Sequence, residues 1–392
     1  MSKAKILTLN AIAAVGLKRF PAEQYLCGSD QKDPDAVIVR SHDMHKMEIP
    51  ETVLAIGRAG AGTNNIPVQD MSRRGVPVFN APGANANAVK ELVIAAMLIG
   101  VRNLVPAVRF VEGLSGDDAS LHKQVEDGKK HFAGGELPGK TLGVIGLGKI
   151  GSLVADAAIR LGMNVLGYDP EITVDAAWSL PSQVRKAHAI EDVLRGSDFV
   201  SLHVPLLPAT KNLINAERVG LLGKNAVLLN FSREGIVDND AVVGALDAGK
   251  LHAYVCDFPA QKLMRHPKVV AFPHLGASTR EAEDNCAVMV VDQVRDYLEQ
   301  GNIRNAVNFP DVVMSRESDY RVCIANANVP NMVGQMSTAM AQAGLNIHNM
   351  LNKSRGEMAY TLVDVDSPVS DDLVQSLSAI DGVLRVRYLP LK

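Results

Sequence analysis

Short apolar runs rich in β-branched residues alternate with longer stretches of helical spacing from Lys3 to about Arg102: KILTL, DAVIVR, TVLAIG and VPVFN lie between segments such as VQDMSRRG and NAVKELVIAAMLIGV. That alternation predicts parallel strands covered by helices, because parallel neighbours need a crossover connection. Residues 113–140 are polar and Gly-rich and predict a connector holding one short helix. A second alternating block follows, with strands TLGVIG, NVLGYD, DFVSLHVPL, AVLLNF, AYVCDF and VVAFPHL and helical segments between most of them. Six strands of this kind suit a Rossmann-type doubly wound sheet. Thr279 to Gln300 is amphipathic at helical spacing and could return the chain to the first block, which would make that block discontinuous. From Ser318 the order is βαββαβ, with strands YRVCIANA, NIHNMLNKS, MAYTLVDVD and VLRVRYL, a ferredoxin-like unit.

The expected organisation is therefore a flavodoxin-like α/β domain (1–98 and 281–308) interrupted by a Rossmann-type domain (99–280), with a ferredoxin-like domain (319–392) at the end. Catalysis itself should not need that last domain.

Composition narrows the class. The 392 residues carry 40 Lys and Arg against 43 Asp and Glu, a net charge of -3, and 47% are apolar. A near-neutral chain without a long basic run is not built for nucleic acid or an anionic membrane surface. The longest apolar run, Leu92 to Val101, is about half of a bilayer span. Lys3 and Lys5 precede an apolar stretch, yet Asn10 interrupts it and no small-residue cleavage site follows, so a first buried strand is expected instead of a signal peptide. The four cysteines are scattered, with no zinc spacing and no disulfide framework, so no metal is expected and a reducing cytoplasm is.

Gly146-Leu147-Gly148-Lys149-Ile150-Gly151 fits G-x-G-x-x-G between a β-branched run and a helical one. In that context Gly146 makes the tight turn, Gly148 admits a pyrophosphate and Gly151 lets the helix pack closely. Asp169, eighteen residues past Gly151, ends the next strand. A carboxylate there accepts the ribose hydroxyls and repels a 2′-phosphate, so NAD is preferred to NADP. Further on, Arg233 in NFSREG and His274 in PHLGAST each follow an apolar strand, at the edge where open α/β sheets hold ligands. Arg binds a carboxylate bidentately, and His exchanges protons near neutrality. Taken singly, each has a plainer role, a surface ion pair for Arg233 and a core histidine for His274.

Together these segments, with HVPLLPATKNLIN, Asp257 in VCDF, GRAGAGTNNIP and VFNAPGANANAVKEL, resemble the D-isomer-specific 2-hydroxyacid dehydrogenases over nearly the whole chain. The resemblance implies hydride transfer between substrate C2 and nicotinamide, with Arg233 holding the substrate carboxylate and His274 as acid/base. It places Lys149, Ile150, Asp169, Val204, Phe231, Ser232, Arg233, Asp257, His274, Leu275, Gly276 and Ala277 along the cofactor, beside the three glycines. Arg40, Ser41, Arg58, Ala59 and Gly60 match substrate-facing positions. Two cations there suit a small substrate with phosphate as well as carboxylate, so the implied activity is oxidation of 3-phospho-D-glycerate, opening serine biosynthesis. A broader 2-oxoacid reductase (hydroxypyruvate or 2-oxoglutarate) and an NAD-sensing binding protein are the competing readings.

Three departures stand out. The family places a Glu after the VCDF-like strand to orient the histidine and raise its pKa; that position falls on Gln261, which hydrogen-bonds but carries no charge. Glu234 follows the arginine where Gly is usual, and Asn331 follows Pro330 where Gly is usual. The C-terminal unit resembles an ACT domain, which binds small amino acids where two copies meet. Asn328 and Asn346 match its effector asparagines and Asn326 stands at an effector position that is often His, implying L-serine as effector and a homodimer or homotetramer. Its plainer role is to hold subunits together.

Overall fold

In the computed structural model, which describes residues 3–391, the chain forms two units. One comprises the residues up to Asn85 together with those from Arg280 onward; the other is Ala86–Thr279.

The first unit contains two sheets. β1 (Ala4–Leu9), β2 (Tyr25–Gly28), β3 (Ala36–Val39), β4 (Ala55–Arg58) and β5 (Val78–Phe79) form a parallel sheet in the order 2-1-3-4-5. That is the flavodoxin-like order expected. β2 escapes the sequence pattern because YLCG is too short to show a period. The helix Arg280–Gln300 returns across this sheet, as the amphipathic run predicts. It comes so close to β4 that a Cβ on Gly57 would meet Val290 and Val294 methyl carbons at 2.7 and 2.9 Å.

β13 (Tyr320–Ala327), β14 (Ile347–Arg355), β15 (Met358–Val365) and β16 (Val383–Pro390) make the expected antiparallel βαββαβ sheet, in the order β14-β15-β13-β16. Alternation along β13 sends Val322 and Ile324 towards the helices Met332–Gln342 and Asp371–Ser378, where Met336, Met340 and Leu377 are buried. Cys323 and Ala325 point the other way, into one core with Tyr297, Phe309 and Phe79. The central strands β13 and β15 are thus buried on both faces, and the sheet shares a core with the parallel sheet, where the sequence suggested a separate domain.

In the second unit β6 (Thr141–Ile145), β7 (Asn164–Tyr168), β8 (Val184–Lys186), β9 (Phe199–Leu202), β10 (Ala226–Asn230), β11 (Leu251–Cys256) and β12 (Val269–Ala271) form an all-parallel sheet, ordered β12-β11-β10-β9-β6-β7-β8. β8 is one strand more than the pattern predicts, since VRK has a single apolar residue. The helix Ala86–Val101 buries Val89, Val93, Ala96 and Met97 against Leu142, Val144 and Val255 of this sheet. The unit therefore begins at Ala86, twelve residues or so before the expected junction at 98/99. The connector 113–140 holds one α-helix, Asp118–Gly128, as expected, continued by the 3-10 turn Lys129–Phe132; a further helix, Leu104–Glu112, precedes it.

Candidate active site

The glycine motif follows β6 and leads into the helix Lys149–Arg160. Gly146 has φ 92°, and a Cβ there would lie 2.5 Å from the His203 carbonyl oxygen. A Cβ on Gly151 would collide with the Gly146 carbonyl oxygen, whereas one on Gly148 would meet nothing within 4 Å. Two glycines are therefore required by packing, and the third leaves open space before a helix N-terminus where a pyrophosphate fits. Lys149 and Ile150 are the first residues of that helix. Beside it a cavity of about 490 Å³ is lined by Leu147, Tyr168, Asp169, Ile172, Leu180 and His188. Apolar walls with one carboxylate suit an adenosine. Asp169 is held in place, accepting from the Leu147 N–H at 2.8 Å and the Glu171 N–H at 3.0 Å. These residues fit NAD.

Strand register assembles the chemical groups. Asn230 of β10 pairs with Leu202 of β9 and Cys256 of β11, and Cys256 pairs with Ala271 of β12. Arg233, Asp257 and His274 follow those strand ends within three residues, so all three emerge at one carboxyl edge of the sheet. The Asn230 amide, fully buried, staples the Arg233 loop: it donates to the Arg233 carbonyl at 2.9 Å and accepts from the Ser232 N–H at 3.2 Å. The Ser232 hydroxyl ties the same loop to the Val204 carbonyl, and Phe231 is buried beneath, its ring 6.3 Å from Phe272. The Arg233 guanidinium is exposed and donates a hydrogen bond to the Ser232 carbonyl.

Asp257 shapes the His274 loop. Its carboxylate accepts from the Leu275 and Gly276 N–H groups, both at 2.7 Å, and its carbonyl accepts from the His274 N–H at 3.1 Å. Burial pushes the Asp257 carboxyl up, while those two N–H groups and nearby His274 hold it down. His274 adopts a left-handed φ of 56° and leaves its ring exposed, edge-on to Phe258 at 5.1 Å. Gln261 is exposed, and among the described residues no hydrogen bond joins it to His274. Ala277 completes the loop, half-buried.

Sequence reasoning missed His203, which follows β9 beneath the glycine loop. Its Nε2 lies 2.9 Å from the Ser201 hydroxyl, and its buried Nδ1 has no partner among the described residues. Burial lowers its pKa to about 4. Asn230 was also missed, although an amide closing the apolar run AVLL was a readable sign.

In the first unit, Arg40 follows β3 and Arg58 ends β4, with the Arg58 Nε–H donating to the Arg40 carbonyl at 3.0 Å. Ser41 and the backbone of Ala59 and Gly60 continue the same edge; Gly60, at φ 155°, lies under the Arg58 guanidinium. In the C-terminal sheet, Asn326 lies level with Ala359 and Ser354, whereas Asn346 precedes Ile347, level with Tyr320 at the opposite end. Six rungs of strand separate them, roughly 20 Å. One chain thus brings Asn326 and Asn328 together but not Asn346. Asn331 takes the left-handed φ of 67° that Gly would supply, which Asn tolerates best among the other residues.

Residues 101–276 match the family model described as D-isomer specific 2-hydroxyacid dehydrogenase, NAD binding domain. The chain is 33% identical to D-3-phosphoglycerate dehydrogenase of Haemophilus influenzae, over 89% of this chain and 85% of that one. Identity to the Methanocaldococcus jannaschii protein of the same name is 38%, over 72% of this chain and 53% of the relative, so the chain spans about half of that longer protein. Among solved structures, NAD+-bound 3-phosphoglycerate dehydrogenase of Entamoeba histolytica superposes with a TM-score of 0.60 at 26% identity, covering 78% of this chain and 99% of that one. With its glycine loop, Asp169 and the Arg233–Asp257–His274 edge, the chain belongs to the D-isomer-specific 2-hydroxyacid dehydrogenases, NAD-dependent oxidoreductases.

Proposed function

We propose that the protein oxidises 3-phospho-D-glycerate to 3-phosphohydroxypyruvate, the first step of L-serine biosynthesis. The observation that carries this reading is the register that brings Arg233 and His274 to one sheet edge beside a dinucleotide-binding loop. Its relatives named for this activity cover most of the chain.

When bound, NAD supplies the acceptor for the hydride that leaves C2. Arg233 holds the substrate carboxylate and polarises the oxygen on C2. His274 accepts the hydroxyl proton as the C2–O bond becomes a carbonyl. Asp257 keeps the imidazole loop in place through the Leu275 and Gly276 amides. Arg40 and Arg58 hold the phosphate. Gln261 supplies no charge to the histidine, and no hydrogen bond among the described residues joins the two. The protein works in the cytoplasm as a homodimer or homotetramer; the helix Leu104–Glu112, which buries no residue and exposes Leu104, Val108 and Val111, offers a surface for a second copy. Asn326, Asn328 and Asn346 receive L-serine where two C-terminal units meet, which accommodates their separation in one chain.

The test is NADH formation with 3-phosphoglycerate, glycerate, lactate and 2-hydroxyglutarate side by side. Phosphoglycerate should have the highest kcat/KM, and His274→Asn should lower kcat by roughly 10²–10⁴. A better substrate among the other three defeats the assignment, and no turnover with any of them favours an NAD-sensing role. Added L-serine should change the rate or the melting temperature; no effect on either removes the effector role.

A further inference from the structure

The geometry points to Glu283 as a resident counter-anion on the substrate-facing arginines, one that a phosphate group displaces and an uncharged end group does not. This inference rests on the reading of Arg40 and Arg58 as the phosphate-binding residues.

β3 and β4 are neighbours in register, Val39 opposite Arg58, so both guanidiniums arise at one strand edge. Glu283 lies in the first turn of the helix Arg280–Gln300, and its Oε1 is 2.5 Å from Arg40 Nη2. A carboxylate near a helix N-terminus is ordinarily explained by the helix dipole. That explanation requires no cation, and Glu281 in the same turn would serve it equally. Glu283 is distinguished by its direct contact with Arg40.

Arg40 does not depend on that contact for its place. The Asn10 side chain accepts from the Ser41 N–H at 3.0 Å and the His42 N–H at 2.6 Å, fixing the turn that follows Arg40. The Arg40 carbonyl is held by Arg58. Cys286, one turn beyond Glu283, is buried, and burial raises its thiol, so it adds no charge. The pair is itself accessible, with 38% of the Arg40 side chain and 41% of the Glu283 side chain exposed. Half-exposed ion pairs are weak and exchange readily. A phosphate dianion bridging two guanidiniums is the stronger ligand. A substrate whose distal group is a hydroxyl carries no charge with which to compete, and leaves Glu283 in place.

Glu283 therefore acts as a specificity-determining residue at the distal end of the substrate. Removing its charge relieves repulsion of the phosphate and leaves the distal hydroxyl of glycerate indifferent. For Glu283→Gln, KM for 3-phosphoglycerate should fall by about threefold or more, with kcat within about twofold of wild type and KM for glycerate unchanged. Inorganic phosphate, titrated calorimetrically into wild type and the variant, should bind more tightly to the variant by a similar factor. This second arm stands even if phosphoglycerate proves not to be the substrate. An unchanged or weakened phosphate affinity overturns the inference, as does an equal shift in KM for both substrates, which would mark Glu283 as merely structural. Melting temperatures of the two proteins verify that the variant is folded.

Discussion

By resemblance Gln261 falls where the family's carboxylate would stabilise a charged His274, yet it is exposed, and among the described residues no hydrogen bond joins it to the ring. Gln261→Glu should raise the histidine's pKa and move the acidic limb of the pH–rate profile up by about half a unit or more. An unchanged profile would mean that the orienting group lies elsewhere, with Asp257, which holds the His274 loop, a carboxylate to test. His203 makes a separate residue-scale prediction. Its folded pKa, about 4, lies below the unfolded value of about 6.5. The unfolded chain then binds the extra proton between those values, so the stability contribution is complete above pH 6.5 and is lost as pH falls towards 4. His203→Gln should flatten the fall in stability across that window, an effect on the order of 3 kcal/mol. The sequence exposed Arg233 and His274 because each ends an apolar strand, but it could not expose His203, whose character comes from burial under the Gly146 turn.

At the scale of elements, strands with several consecutive β-branched residues were legible, and β2 and β8 were not, being too short or too polar to carry a period. The helix Ala86–Val101 was legible as a helix, yet its partner was not, because an apolar face does not name the sheet it packs against. A sharper case is Arg321 on β13. It appears in YRVCIANA as an ordinary polar interruption, yet it is fully buried in a bidentate pair with Asp364 of β15 at 2.6 and 2.8 Å. It also donates to the carbonyls of Gln300, Met314 and Ser315, joining the end of the returning helix and the linker to the C-terminal sheet. Arg321→Ala would strand a buried carboxylate and should cost about 3–5 kcal/mol in chemical denaturation. The double change Arg321→Met with Asp364→Leu should recover much of that loss, because it buries no unpaired charge.

For the whole chain, the central question is whether residues 319–392 are an appendage. Their order βαββαβ was legible, and on that ground they read as a module dispensable for catalysis. The sheet they form buries Cys323, Ala325, Tyr360 and Leu362 in one core with Tyr297 and Phe309. Arg387 caps the end of the returning helix, donating to the Tyr297 and Leu298 carbonyls at 3.1 and 3.0 Å, with its guanidinium 4.5 Å from the Tyr297 ring centre. Truncation after Glu317 should therefore expose an apolar face and give an aggregating protein; a monodisperse, active product by size exclusion and NADH assay would contradict this. What the sequence determined by itself was local: which segments are strands, where a glycine turn precedes a helix, and which charged residues end apolar runs. These follow from short-range sterics and periodicity. The tertiary structure alone decided that the C-terminal sheet shares a core with the parallel one, that Glu283 meets Arg40, and that Asp257 holds the His274 loop. Each is a pairing between residues distant in the chain or a choice of partner for an apolar face, and burial makes that choice only when the whole chain has folded.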